Sequence, residues 1–330
     1  MLLKLDIARA FDSVAWPFLL DTLRHLGFGN RWCEWISILL STAKTRVLIN
    51  GSPGPPIHHE KGLRQGDPVS LILFVLVIDV LNSMLLHAVD LGLLQCLTPR
   101  HASSSISLYA DDVVIFCHPD RHDLTAIREI LRVFGIASGL WTNFAKCSAT
   151  PIRCTDKHMA LIADEMHCPV TQFPVQYLGL PLSIRKPSSS SLLPIVLKLE
   201  RKLSTWRASM LSRGDRLALI RHVLCAIPTH FLTAIAFNKT AIKKVNRIIH
   251  GFLLAGHKEA NGGQCHVNWQ RVSRPISLGG LGIRDSYRTG LSLRVRWLWL
   301  QRTDPSRPWS NLPIPHDADA NAIFRASTSW

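Results

Sequence analysis

The order of apolar and polar positions divides the chain into a mixed first part and a helical second part. Residues 2–7 form a short apolar run broken by Lys4, which predicts a strand. Trp16, Leu19, Leu20, Leu23 and Leu26 then recur at helical spacing, with Pro17 near the start and Gly27 after the end. A second helix is predicted over residues 30–40. A strand over 45–49 leads into Asn50-Gly51, a hairpin signal because both residue types accept positive φ. Residues 69–86 are almost continuously apolar, interrupted by Asp79, Asn82 and Ser83. The uninterrupted run, 71–78, is far short of the ~20 residues a bilayer span needs, so a helix buried in a protein core is expected. Two β-rich runs, 106–110 and 113–117, flank Asp111-Asp112 and predict a hairpin. A helix over 123–138 is expected to pack on one side of this sheet. Serines at 188–191 punctuate the chain, and helical patterns follow over 196–206, 216–226 and 241–254. The residues after 302 are rich in Pro, Ser and Asp and are expected to be poorly ordered.

The candidate chemistry lies in three carboxylates. Asp6 ends the first predicted strand, and Asp111 and Asp112 sit at the tip of the predicted hairpin. Adjacent strands lie ~4.8 Å apart, so pairing of the two elements would gather these side chains at one sheet edge. Carboxylates that close repel unless a cation neutralises them. Hard oxygen ligands suit Mg²⁺. Two such ions ~3.5–4 Å apart clamp the attacking and leaving oxygens of a phosphoryl transfer. An Asp-Asp pair is more often an ordinary turn. Here, however, Tyr109 precedes it and Val113, Val114, Ile115 and Phe116 follow, an apolar frame that a surface turn seldom has.

Composition narrows the class. With 47% apolar and 18% charged residues the chain can bury a large core, and it is not a disordered polypeptide. The net charge of +15 is concentrated: residues 195–302 hold 19 Lys+Arg against 4 Asp+Glu, whereas residues 1–194 hold 17 against 16. Such a segment suits a polyanionic partner, above all nucleic acid. Eight cysteines are scattered without a C-x-x-C pair, which argues against a zinc site and for a reducing compartment. The first residues lack the apolar run of a signal peptide, and the expected location is intracellular, nuclear or cytoplasmic.

Five motifs, in order, resemble those of non-LTR (LINE-type) retrotransposon reverse transcriptases. They are Lys4-Leu-Asp-Ile-Ala-Arg-Ala-Phe-Asp-Ser-Val14, Gly62-Leu-Arg-Gln-Gly-Asp-Pro-Val-Ser70, Tyr109-Ala-Asp-Asp112, Ser138-Gly-Leu140 with Asn143 and Lys146, and Tyr177-Leu-Gly-Leu-Pro-Leu182. Gly214-Asp-Arg-Leu-Ala-Leu-Ile220 and Gly279-Gly-Leu-Gly-Ile-Arg284 further resemble the C-terminal part of plant LINE polyproteins. The resemblance implies an α+β reverse-transcriptase palm, an antiparallel sheet with packed helices, over residues 1–187. A basic helical thumb would cover 192–302, with a tail over 303–330. It implies an RNA-directed DNA polymerase using two Mg²⁺ ions, with Mn²⁺ as the alternative, and an RNA template, a DNA primer and dNTP as partners, with no membrane. Asp6, Asp111 and Asp112 would hold the metals, with the Ile7 carbonyl as a further ligand. Phe11 would stack under the incoming sugar and exclude a 2′-hydroxyl. Arg64, Gln65 and Gly66 would line the nucleotide and template, and Lys146 would donate a proton to pyrophosphate. Tyr177, Leu178 and Gly179 would hold the primer end. Arg201, Lys202, Arg207, Arg213 and Arg216 are the phosphate contacts expected of the basic segment.

The sequence also departs from the family pattern. It begins almost at Asp6, so the family's fingers region and endonuclease are not represented. Leu71 stands where proline is usual, Trp141 where lysine is common and Leu254 where tryptophan is usual. The usual C-terminal histidine-cysteine cluster is not found. These departures suggest a truncated or decayed copy with weak or no polymerase activity. A non-catalytic nucleic-acid-binding remnant is the main alternative. A metal-dependent nuclease, with His118 as base, is a third.

Overall fold

The computed structural model describes residues 1–97, 106–184, 192–203, 210–256, 267–307 and 310. They form two compact units, Met1–Leu178 and Gly179–Trp330. The serine run at 188–191 lies outside the described residues; the division falls earlier in the chain.

The first unit opens with strand β1 (Leu2–Leu5), a turn of helix α1 (Ala10–Ser13), α2 (Trp16–His25) and α3 (Asn30–Ser41). Four two-residue strands follow, β2 (Lys44–Thr45), β3 (Leu48–Ile49), β4 (Ser52–Pro53) and β5 (Ile57–His58). Then come α4 (Pro68–Asp90), the hairpin β6 (Ile106–Tyr109) and β7 (Asp112–Phe116), α5 (Arg121–Ser138), β8 (Ser148–Thr150), α6 (Asp156–Met166) and strand β9 (Val175–Tyr177). The main sheet is antiparallel, in the order β6-β7-β1-β8. The strand expected over 45–49 is divided: β2 pairs with β5, and β3 turns back onto β4 through Asn50 (φ 50) and Gly51 (φ 80).

The alternation of the strands sorts the main sheet into two faces. Leu3 and Leu5, Val113 and Ile115, Ile106 and Ala149 enter one hydrophobic core with residues of α2 to α6. Lys4, Asp6, Ser107 and Asp112 belong to the other face by the same alternation. Local signals place the helices. α5 starts at Asp120, whose side chain accepts the Asp123 N–H, buries Leu124, Ile127, Leu131 and Phe134, and stops at Gly139 (φ 78). α4 starts at Asp67, which accepts from the Val69 N–H and the Ser70 hydroxyl.

α4 is the single helix among the described residues that is long and apolar enough to cross a membrane. It is less enclosed than its composition predicts. Phe74, Val77, Ile78, Leu81 and Leu85 enter the core, but Leu71, Ile72 and Val75 are exposed, and only 39% of its most apolar window is buried.

The turn that follows β1 organises the unit. Residues 8–15 receive backbone hydrogen bonds from two distant segments. The Gly62 N–H donates to Val14 O (2.8 Å) and the Leu63 N–H to Phe11 O (2.6 Å). From the other side, Ser138 O accepts from the Ala15 N–H (2.8 Å) and Trp141 O from the Ala8 N–H (2.9 Å). The Trp16 indole caps Gly62 O at 2.8 Å. Both docking segments need glycine. A Cβ on Gly62 (φ +88) would lie 2.7 Å from Asp12 O, and one on Gly139 (φ +78) 2.3 Å from Ser13 O.

The chain passes into the second unit through the turn between β9 and β10 (Leu180–Leu182), where Leu178 (φ 51) and Gly179 (φ 74) are both left-handed. The described remainder is helical: α7 (Leu193–Lys202), α8 (Arg213–Leu219) running into a π-helical turn (Ile220–Leu224), α9 (Thr229–Ala234), α10 (Lys239–Ala255), α11 (Trp269–Val272), a 3₁₀ turn (Ile276–Leu278) and α12 (Ser286–Thr303). Its core gathers Leu199, Ile220, Leu224, Val245, Ile249 and Phe252. α12 docks on α9 through the Trp297 indole, which donates to Thr233 O at 3.0 Å.

Gly139→Ala combines a forbidden φ with a backbone clash and is expected to destabilise the chain by about 2–4 kcal/mol, read as a lower urea midpoint. Two core thiols give a pH signature. Burial pushes Cys117 up to about 12 and Cys147 up to about 11, from 9.0. Both stay neutral in the fold but ionise once unfolded, so their contribution is intact below pH 9 and lost as pH rises towards 11–12. The urea midpoint should therefore hold from pH 7 to 8.5 and fall above 9, and replacing both cysteines by alanine should flatten that fall.

Candidate active site

Asp6 follows β1 directly. The β1–β7 register sets Leu2 against Phe116 and Leu5 against Val113. One further step brings Asp6 opposite Asp112. Tyr109 pairs with Asp112, so the hairpin turns through Ala110 and Asp111. Ala110 is left-handed (φ 52), a conformation that costs a non-glycine residue about 1–2 kcal/mol. The strained turn leaves Asp111 exposed, with Asp6 and Asp112 half-buried. The strand end near residue 6 and the hairpin tip a hundred residues later therefore sit side by side on paired strands.

The backbone of Asp6 is held from both sides by the 143–147 turn. Asp6 O accepts from the Asn143 N–H (2.8 Å), and the Asp6 N–H donates to Cys147 Sγ (3.3 Å). The turn is closed on itself, with the Lys146 and Cys147 N–H groups donating to Asn143 O (2.9 and 3.0 Å). Ile7 is buried and bridges Thr142. The Asp6 and Asp111 side chains have no hydrogen-bond or ion-pair partner among the described residues, whereas Asp112 Oδ1 lies 3.8 Å from Lys4 Nζ.

The three aspartates do not close into a tight trio. Among the described residues, the group of three acidic, His or Cys ligand atoms within 4.8 Å of one another is Asp120, His122 and Asp123. That group lies past the opposite end of β7. Helix capping accounts for much of it: Asp120 accepts the Asp123 N–H (3.0 Å) and the Gln95 amide (2.9 Å), and buried Asp123 accepts the Gln95 N–H (3.2 Å). His118 lies at this same end. Six residue steps of ~3.3 Å each separate it from Asp112, so it is no partner for Asp6, which removes the geometric basis of the nuclease alternative.

The other expected residues fall as follows. Phe11 is half-buried and stacks on Phe74, with ring centroids 4.5 Å apart at 18°. Arg64 and Gln65 are exposed, and Gly66 is left-handed (φ +89). The adjoining Asp67 carboxyl is held below its usual range, chiefly by the Ser70 hydroxyl. Lys146 is exposed. The β9 strand is tied to the main sheet at two points: Tyr177 Oη meets Ser107 Oγ at 3.0 Å, and Lys4 Nζ donates to Gln176 O at 3.1 Å. In the second unit, Arg201 and Lys202 close α7 and Arg213 opens α8, all exposed. Arg216 is half-buried with its guanidinium against Gly256, a less open position for a phosphate. Arg207 lies outside the described residues.

The roles of Lys4, Trp16 and Cys147, and the close approaches at Gly62 and Gly139, carry no signal in the sequence. Gly139 was readable as a helix stop, but the carbonyl it lies against is a tertiary fact.

The reverse transcriptase (RNA-dependent DNA polymerase) family matches residues 1–182. The chain is 27% identical over 317 residues to the transposon TX1 uncharacterized 149 kDa protein of Xenopus laevis, covering 94% of this chain and 23% of that one. It is 24% identical to the retrovirus-related Pol polyprotein from the type-2 retrotransposable element R2DM of Drosophila melanogaster, covering 95% and 28%. With the type-1 element R2 polyprotein of Nasonia vitripennis it shares 26%, covering 84% and 27%. It thus spans about a quarter of the length of these relatives. The plant likeness read from the C-terminal motifs is not borne out. These broad matches are to animal proteins, and two Arabidopsis thaliana proteins match only 32% and 20% of the chain. With residues 1–182 inside the family match and R2 and TX1 transposon proteins as its relatives, the chain belongs to the reverse transcriptases, of the non-LTR kind.

Proposed function

We propose that this chain is the polymerase core of a LINE-type element, extending a DNA primer on an RNA template by nucleotidyl transfer. The observation that carries the reading is the pairing of β1 with β7. It brings Asp6 beside the Asp111–Asp112 turn and leaves two carboxylates without partners among the described residues.

The donor set fits hard divalent cations: carboxylate oxygens, partly open to solvent, with free lone pairs. Asp6 and Asp111 would be the main ligands, with Asp112 and the Ile7 carbonyl beside them. When bound, Mg²⁺ supplies charge neutralisation at the phosphates and at the primer hydroxyl. The chain's own groups do the rest. Phe11, fixed against Phe74, presents an aromatic wall to the incoming sugar and leaves no room for a 2′-hydroxyl. Arg64, Gln65 and Gly66 meet the nucleotide and template in the loop ahead of α4. Lys146, on the turn that clamps Asp6, delivers a proton to departing pyrophosphate. Residues 177–179 hold the primer end near the carboxylates. Residues 195–302 act as a helical thumb that grips the duplex through its phosphates, with Arg201, Lys202 and Arg213 as open contacts and Arg216 more enclosed. Catalysis of this kind is positioning and charge stabilisation.

Primer extension on an RNA template with Mg²⁺ tests the reading. The chain should incorporate dNTP, and Asp111→Asn should lower incorporation at least ~100-fold while leaving template–primer binding within about 3-fold. Binding without incorporation would favour the non-catalytic remnant. If about five phosphates are neutralised, affinity should fall on the order of 10²–10³-fold between 50 and 200 mM salt. A salt-independent affinity would remove the thumb from the proposal.

A further inference from the structure

The polar face of the sheet carries one basic side chain among its described strand residues, Lys4. It stands on an inner strand, opposite Val114 on one side and Ser148 on the other. It is also two residues before Asp6, hence on the same face and about 6.6 Å along the strand. Its ammonium does two things at once. It donates to Gln176 O at 3.1 Å, at the start of the hairpin that carries residues 177–179, and it lies 3.8 Å from Asp112 Oδ1. The hairpin's other tie to the sheet, Tyr177 to Ser107, is uncharged. The acids are thereby unequal: Asp112 has a cation beside it, while Asp6 and Asp111 have no partner among the described residues.

We infer that Lys4 is a positioning residue for the polymerase reaction. It fastens the primer-contacting hairpin to the carboxylate cluster and keeps Asp112 as its counter-ion, so that cation ligation falls to Asp6 and Asp111. The inference rests on the function proposed above. It also makes a prediction that a merely structural lysine does not. A fixed positive charge beside a cation site opposes the cation and occupies one of its carboxylates. Removing that charge strengthens cation binding while loosening the hairpin. A simple folding defect weakens both.

The test uses the full chain and two measurements that need no turnover: Mn²⁺ titration followed by electron paramagnetic resonance, and template–primer affinity by fluorescence anisotropy. Asp111→Asn should weaken Mn²⁺ binding at least ~10-fold, identifying the site being read. Lys4→Met should bind Mn²⁺ about 3–10-fold more tightly and template–primer at least ~5-fold more weakly. Lys4→Arg, which keeps the charge and a donor, should return both towards the wild-type values. If Lys4→Met leaves Mn²⁺ binding unchanged or weakens it, or leaves template–primer affinity unchanged, the inference fails. It also fails if Asp111→Asn does not affect Mn²⁺ binding. Primer extension then separates the two claims. If the variants show the Lys4 pattern but the wild-type chain incorporates no nucleotide, the proposed function is overturned and with it the positioning role in polymerisation, leaving only the tie between Lys4, the hairpin and the cation site.

Discussion

The first unit depends on one short stretch of backbone, residues 6–15, held by hydrogen bonds from three directions. The loop ahead of α4 donates to Phe11 and Val14; the segment after α5 pairs with Ala8 and Ala15; the 143–147 turn closes on both backbone groups of Asp6. Each buried amide left unpaired here would cost about 1–3 kcal/mol, so the three segments are fixed together rather than one by one. The two glycines follow from this. The loops approach so closely that a single methyl group at Gly62 or Gly139 meets main-chain atoms. Motifs scattered over more than a hundred residues are thus one structural object, and the carboxylate of Asp6 inherits its position from all of them.

The sheet then converts that fixed point into a site. One face enters the core, and the other carries Lys4, Asp6 and Asp112 beside the buried Leu2 and Val114. Pairing β1 with the β6–β7 hairpin concentrates acids at one edge, and the left-handed Ala110 turns the tip so that Asp111 stays open. Local strain of this size persists only where the surroundings over-determine it. The strands of the hairpin, buried at Val113, Val114 and Ile115, supply that constraint.

Periodicity made the elements legible, and the limits of legibility are physical. Helical spacing located α2, α5 and α10, and alternation located β1 and the hairpin, because each buries one face. The run over 45–49 failed as a single strand because its pairing partners lie on two different segments, which no local pattern encodes. The apolar composition of α4 suggested enclosure, yet Leu71, Ile72 and Val75 face outward, since composition reports what a helix can bury and not what is there to cover it. At the site, residue types announced Asp6, Asp111 and Asp112. The ion pair that distinguishes Asp112 from the other two came only from the register of β1 against β7.

Charge is the remaining link between chemistry and partner. Under the proposed function, a site that gathers cations is locally acidic, yet the polyanion it would act on is repelled by such a site. Residues 1–194 are nearly balanced, with 17 basic against 16 acidic side chains, while residues 195–302 hold 19 against 4. The chain separates the two demands along its sequence, so affinity for nucleic acid need not be generated beside the carboxylates. Phosphate contacts fix position without reading bases, and a helical segment rich in long flexible cations would supply them without geometric precision. The carboxylate site is the reverse case: few residues, each fixed by backbone hydrogen bonds. Used in this way, the helical segment would tolerate substitution at any one arginine, whereas the loops docked on the turn that carries Asp6 leave no room for a methyl group at Gly62 or Gly139.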